Sequence, residues 1–255
     1  MLLTEFDPSK NAVINPWNIH QNQADFPETV VAVFSRHLFQ SVLALLNGRE
    51  IASVQDANGE NPVYEVDYRG KRFGFHMALV GAPSCVGDFE DLIALGARRI
   101  ILLGNCGVLD REIQDCGIII PTRAIRDEGT SYHYAPAADF MEVNRKYRED
   151  FQAVLTACGY PWVEGITWTT DAFYRETRAR VARRRQMGAI CVEMECAAMA
   201  AMCNFRGVEL FQFFYAGDNL DHAAWDPRSL SGGVRLDDKQ KIALLAFELA
   251  WRIGP

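Results

Sequence analysis

No apolar run in this 255-residue chain reaches the ~18 residues that a membrane-spanning helix needs, so no such helix and no membrane partner is predicted. The first ten residues, MLLTEFDPSK, carry acids and a proline before any apolar stretch, which does not suit a signal peptide. The seven cysteines, Cys85, Cys106, Cys116, Cys158, Cys191, Cys196 and Cys203, contain no CxxC pair and are odd in number. That pattern matches neither a disulfide framework nor a zinc site, and the expectation is reduced thiols in a cytoplasmic protein with no bound metal. Positive charge is also scarce: 26 Lys+Arg against 33 Asp+Glu leave a net charge of −7. Duplex binding rests on neutralising phosphates, so no nucleic-acid partner is expected. The single basic run, Arg178, Arg180, Arg183, Arg184 and Arg185, reads as a solvated helix face. No internal repeat and no low-complexity linker interrupts the chain.

What is present is an alternation of strand and helix patterns. Residues 1–28, broken by Pro8, Pro16 and Pro27, read as a mostly irregular N-terminal arm. Strands are predicted over 29–34, 72–80, 98–104, 117–125, 162–170 and 208–217, with an exposed strand-turn-strand over 52–72 that turns at Asn58-Gly59. Helices are predicted over 36–46, 84–97 with Ser84 as N-cap, 143–158, 176–187, 190–205 and 237–253. The alternation argues for a single three-layer α/β/α domain over 29–255 around a mixed, largely parallel twisted sheet. In such folds ligands bind at the carboxyl ends of the strands.

Four strand ends carry unusual residues. Gly104-Asn105-Cys106-Gly107 is either a plain tight turn or a nest of backbone N–H groups for an anion. Gly81-Ala82-Pro83-Ser84 leads into a helix N-terminus, another anion-friendly end with an equally common structural reading. Glu193-Met194-Glu195 opens an apolar helix, where the acids either cap the N-terminus or hold a ligand hydroxyl. Asp218 follows a long apolar strand, as a general acid or as a turn cap beside Asn219.

Taken together, GAPS (81–84), LIALGARRIILLGNCGVL (92–109), TTDAFY (169–174), VEMECAAMAAMC (192–203) and YAGD (215–218) resemble the nucleoside phosphorylase-I family. That family includes uridine phosphorylases, purine nucleoside phosphorylases and methylthioadenosine/adenosylhomocysteine nucleosidases. The likeness spans residues from about 70 to 220, and RDEGTSYHYAP (126–136) looks like a loop of the uridine phosphorylases. It implies cleavage of the bond between ribose C1′ and a base, with phosphate as co-substrate and no cofactor. It further implies that Glu195 holds the ribose hydroxyls, Met194 packs on the sugar, and the base stacks on Phe173 beside Tyr174. Asp218 falls where purine-specific members protonate the base. His20 lies where members present a His across a subunit interface, within a homodimer or a hexamer built as a trimer of dimers.

The chain departs from the family pattern at the nucleophile. The first strand runs into Phe34-Ser35-Arg36-His37, with no glycine and no carboxylate, so Arg36 is the candidate for phosphate there. Leu102 stands where a second phosphate Arg is usual, and Asn105 replaces the Ser or Thr of the nest. The uracil-reading Gln is missing after Phe173-Tyr174. Candidate phosphate ligands are therefore Arg36, Gly104, Asn105, Ser84 and Arg126, with Arg123 as a further replacement. Glu128, Ser131, His133 and Tyr134 form a polar cluster, with His133 a candidate base contact. The expectation is a nucleoside phosphorylase. The alternatives are a nucleosidase, with water as nucleophile, and a nucleoside-binding homologue without turnover.

Overall fold

The computed structural model describes residues 4–57 and 59–254, so Asn58 of the expected Asn58-Gly59 turn lies outside the described residues. Runs of Val, Ile and Leu form the centre of the sheet, as residues that fit a pleated surface buried on both sides should. β1 (Thr29–Val33) is buried at all five positions and lies parallel to both β4 (Lys71–Met77) and β5 (Arg99–Val108). The antiparallel hairpin of β2 (Arg49–Asp56) and β3 (Gly59–Tyr68) extends the sheet beyond β4. On the other side β5 takes β10 (Glu209–Asn219) in parallel and β9 (Ala189–Glu193) antiparallel through Gly107 and Val108. β6 (Ile118–Asp127) joins β10 antiparallel and β8 (Trp162–Thr170) in parallel, and β8 runs parallel to β9. β5, β10, β6, β8 and β9 thus close a ring at one end of a mixed ten-stranded sheet, with the short β7 (Phe140–Glu142) on β6.

Helices cover both faces. Val31, Val33, Ile101 and Leu103 point to α2 (Arg36–Leu45), α4 (Arg148–Cys158) and α7 (Leu236–Ile253), while Val30, Ala32, Ile100 and Leu102 point to α3 (Ala82–Leu95) and α6 (Cys196–Arg206). This two-residue alternation gives each strand two buried faces, and each large apolar side chain so buried stabilises the fold by about 1.5–3 kcal/mol. The remaining helices are α1 (Pro16–Ile19), a single turn in the arm, and α5 (Arg178–Gln186). The arm is docked rather than free: Phe26 is buried, and the Gln23 N–H donates to the Leu95 carbonyl at 2.9 Å. Among the described residues no helix is long and apolar enough to cross a membrane.

Three expectations need correction. Residues 190–205 are not one helix: 189–193 form β9 and the helix starts at Cys196. Ala189, Cys191 and Val192 find ladder partners in β8, the last two also in β5, and tertiary pairing overrides the helical spacing that continues through them. The Gly104–Gly107 segment is not a turn but the last part of β5, because β10 pairs with it as far as Val108. Ser84 is not the N-cap of α3; Gly81 is, at φ +93, and Ser84 is an exposed residue of the first turn.

Lys239 ties the C-terminal helix to the loop before it. It is 1% exposed, and its ammonium donates to the carbonyls of Ser229 and Ser231. Removing it leaves the Ser229 carbonyl without its donor, while the Ser231 carbonyl keeps that of the Val234 N–H, so Lys239→Met should destabilise the protein by about 1–3 kcal/mol in urea unfolding. An unchanged unfolding midpoint would mean that the loop does not depend on this latch.

Candidate active site

The carboxyl ends of β5, β9 and β10 open into a cleft of about 800 Å³. β9 ends at Glu193, the chain bends at Met194, and α6 begins at Cys196, so the two acids of the EME sequence meet different surroundings. The Glu193 carboxylate accepts from the N–H groups of Glu195 and Cys196, both at 2.7 Å, and from the hydroxyls of Thr167 at 3.2 Å and Thr169 at 2.6 Å. It caps α6, where the free N–H groups of a helix start favour an acid. Glu195 instead faces the cleft, with one oxygen accepting from the Gly81 N–H at 2.6 Å. The φ of +93 at Gly81 is backbone geometry that a glycine adopts without strain. Burial pushes the Glu193 carboxyl up to about 7, and burial together with the Glu193 charge pushes Glu195 up to about 8. Of the two acids, Glu193 thus caps the helix, and Glu195 is left facing the cleft.

Asp218 stands across the cleft. β10 follows β5 in parallel to Ala216, and a bulge before Asp218 re-aims the chain there. The Asp218 Oδ2 accepts from the Trp225 indole N–H at 2.7 Å, and burial raises the carboxyl above its ordinary range. Gly107 is its ladder partner, and a Cβ there would lie 3.1 Å from the Asp218 Oδ1 and 2.5 Å from the Leu220 Cδ1. Glycine at 107 is therefore what lets the carboxyl approach β5.

Aromatic rings form the mouth. Phe173 and Tyr174 begin a 3-10 turn after β8, with ring centroids 4.0 Å apart, and are 50% and 88% exposed. Such open rings can stack on a flat heterocycle. Glu176 closes that turn and lines the same cleft. Burial, with a contribution from the Asp218 charge, pushes it up to about 7. Glu176 is a site residue that the sequence did not single out; the available signal was an acid three residues after Phe173. Arg178 donates to the carbonyls of Leu220, His222 and Ala223, tying this turn to the chain that leads to Trp225. The basic run is not simply solvated: Arg180 and Arg184 pair with Asp127, and Arg185 with Asp221.

Of the sequence-derived candidates, Asp218, Glu195, Met194, Phe173, Tyr174 and Asn105 line the cleft. Gly104 lies just behind, where a Cβ would meet the Phe34 ring at 3.1 Å. The others are elsewhere. Arg36 is exposed at the start of α2 and is outside the lining. Ser84 lines a second cleft beside the arm, and His20 sits near it, 3.7 Å from Asp91. Arg126 is buried, donating to the Ser131 hydroxyl at 2.8 Å and the Pro136 carbonyl at 2.6 Å, with the Tyr132 ring 4.1 Å from its guanidinium. Glu128 accepts from the Ser131 N–H at 2.8 Å, so this loop binds itself, and His133 is exposed outside the cleft. Arg123 lies over the Phe140 ring at 4.7 Å.

Comparison with known proteins agrees with this architecture. The chain is 27% identical over 160 residues to a DeoD-type purine nucleoside phosphorylase of Bacillus cereus, covering 60% of this chain and 66% of the relative. The chain thus spans just under two thirds of the length of the curated relatives it matches. In structure it is similar to the uridine phosphorylase of Vibrio fischeri ES114, with a TM-score of 0.76 and 20% identity over 91% of this chain and 95% of that one. It is also similar to the 5′-methylthioadenosine/S-adenosyl homocysteine nucleosidase of Campylobacter jejuni, with a TM-score of 0.73 and 17% identity over 89% of this chain and 100% of that one. The family model described as the phosphorylase superfamily matches residues 29–245, and the chain belongs to that superfamily.

Proposed function

We propose that the chain cleaves the N-glycosidic bond of a purine nucleoside. The observation that carries this reading is that Glu195, just after β9, and Asp218, on β10, line one cleft beside the Phe173 and Tyr174 rings. Glu195 accepts hydrogen bonds from the ribose hydroxyls and Met194 packs on the sugar. The base stacks on Phe173. Cleavage leaves negative charge on the departing base, and Asp218, whose carboxyl burial raises above its ordinary range, donates to it as general acid. The homodimer or hexamer implied by the resemblance would cover the arm's exposed Val13, Ile14 and Ile19.

Water suits this cleft as nucleophile better than phosphate. Its lining holds four carboxyl side chains, Glu176, Glu193, Glu195 and Asp218, and among the described residues Arg178 is its one cation. Arg178 is occupied by backbone carbonyls. A phosphate dianion there would exchange its hydration for a site without a free positive charge. A second reading, phosphorolysis, is favoured by Arg36, which is exposed two residues after the lining residue Phe34.

Incubation with adenosine, inosine and uridine, with and without phosphate, separates these readings. The expected result is free purine base and ribose without phosphate. Ribose 1-phosphate formed only with phosphate selects phosphorolysis. Efficient cleavage of uridine with both purine nucleosides untouched removes the purine reading, and no turnover of any removes cleavage altogether.

A further inference from the structure

We infer that Glu176 reads the base together with Asp218, and that the two carboxyls select a 6-aminopurine nucleoside over a 6-oxopurine one. This rests on the purine reading above and names the substrate class for the same site.

The argument starts from what each carboxyl already holds. Glu193 accepts four hydrogen bonds and Glu195 accepts one from Gly81. Asp218 gives Oδ2 to the Trp225 N–H, which leaves Oδ1, on the Gly107 side, for a ligand. The Glu176 carboxyl accepts no hydrogen bond from the described residues although it lines the cleft. Its position is fixed: the Glu176 N–H donates to the Phe173 carbonyl at 3.1 Å, so the acid is one tight turn from the ring on which the base stacks. Arg178 fastens this turn to the Leu220–Ala223 segment and so to the chain bearing Asp218 and Trp225. Both carboxyls line the same cleft, and this clamp joins the turn that bears Glu176 to the segment that follows Asp218.

Two acids facing one cavity resist ionising together, because the second charge meets both the first and a poorly solvating wall. The favoured state of the pair carries one proton. It then offers one O–H donor and one carboxylate acceptor. The edge of a 6-aminopurine presents the complement, the N7 acceptor beside the 6-amino donor. A 6-oxopurine presents N7 and O6, two acceptors, so the ionised partner would face a carbonyl oxygen with no hydrogen between them. Asp218 as donor to N7 and Glu176 as acceptor from the 6-amino group satisfy both atoms at once.

The test compares wild type with Glu176→Gln, which keeps size and one acceptor but adds a donor able to meet O6. Wild type should favour adenosine over inosine in kcat/KM, and that ratio should fall at least about tenfold in the variant, the scale of one lost discriminating pair. The free bases give a readout independent of turnover: by calorimetric titration wild type should bind adenine more tightly than hypoxanthine, and the variant should lose that preference. Equal handling of the two substrates by wild type, or an unchanged ratio in the variant, overturns the inference while leaving purine nucleoside cleavage standing. If no nucleoside is turned over, the function reading fails, and the adenine-to-hypoxanthine binding ratio still decides the role of Glu176.

Discussion

Replacing Glu195 by alanine is expected to lower kcat/KM on the best nucleoside by ~10²–10⁴-fold while the protein still folds. Two ribose hydroxyls left in the cleft without the Glu195 carboxyl cost about 1.5–3 kcal/mol each, and their sum sets that range. Near wild-type activity in this variant would show that Glu195 does not hold the sugar. The same residue makes a second prediction about stability. In the folded protein burial and Glu193 hold Glu195 at about 8, against an ordinary glutamate value of 4.5. The folded state therefore keeps a proton that the unfolded state has released between these limits. The stabilisation is complete below about pH 4.5 and is lost as the pH rises through about 8. Glu195→Gln, which keeps an acceptor for the Gly81 N–H, should flatten the fall in melting temperature between these limits. Glu193, itself at about 7, keeps part of the slope in the variant. A variant whose melting temperature falls with pH as steeply as wild type would mean that Glu195 titrates like an exposed acid.

The other large effect is expected at Asp218. Asp218→Asn retains an oxygen for the Trp225 N–H, so the geometry of the 218–225 segment should survive. What is lost is the acidic proton. The turnover number on a purine nucleoside should fall by ~10²–10⁴-fold, the usual scale for a missing general acid. A substrate with a pre-activated leaving group, which needs no protonation, should lose much less. Because burial raises the Asp218 carboxyl, wild-type turnover should decline as the pH climbs past its raised value, and this limb should vanish in the variant. Equal losses on the ordinary and the activated substrate would reduce Asp218 to a turn cap.

Much of the fold was legible because burial writes itself into the chain. Strands at 29–33, 162–170 and 209–219 are continuous or alternating apolar runs, and the amphipathic pattern over 236–253 is a helix. The misread segment, 190–205, fails for a physical reason. Ile190 to Val192 and the Ala-rich stretch after Cys196 are equally apolar, and only the neighbouring β5 and β8 decide where strand ends and helix begins. Gly104 to Gly107 fails likewise, since β-ladder partners far along the chain keep it extended.

For the site, the chain's own strand ends pointed to Glu193, Glu195 and Asp218, and the family resemblance added Phe173. What sequence order could not assign was the division of labour. Glu193 and Glu195 look alike in the sequence, and they differ because Thr167, Thr169 and the helix start surround one while Gly81 and open cleft face the other. Arg126 and Arg36 both looked like anion ligands, yet one is held in its own loop and the other stands outside the lining. Local pattern determined which segments bury and in which class of fold, because the hydrophobic effect acts on each side chain through its own spacing. Closure of the five-strand ring decided which carboxyls share a cavity, because proton affinity and ligand contact depend on neighbours that only folding brings within a few ångströms.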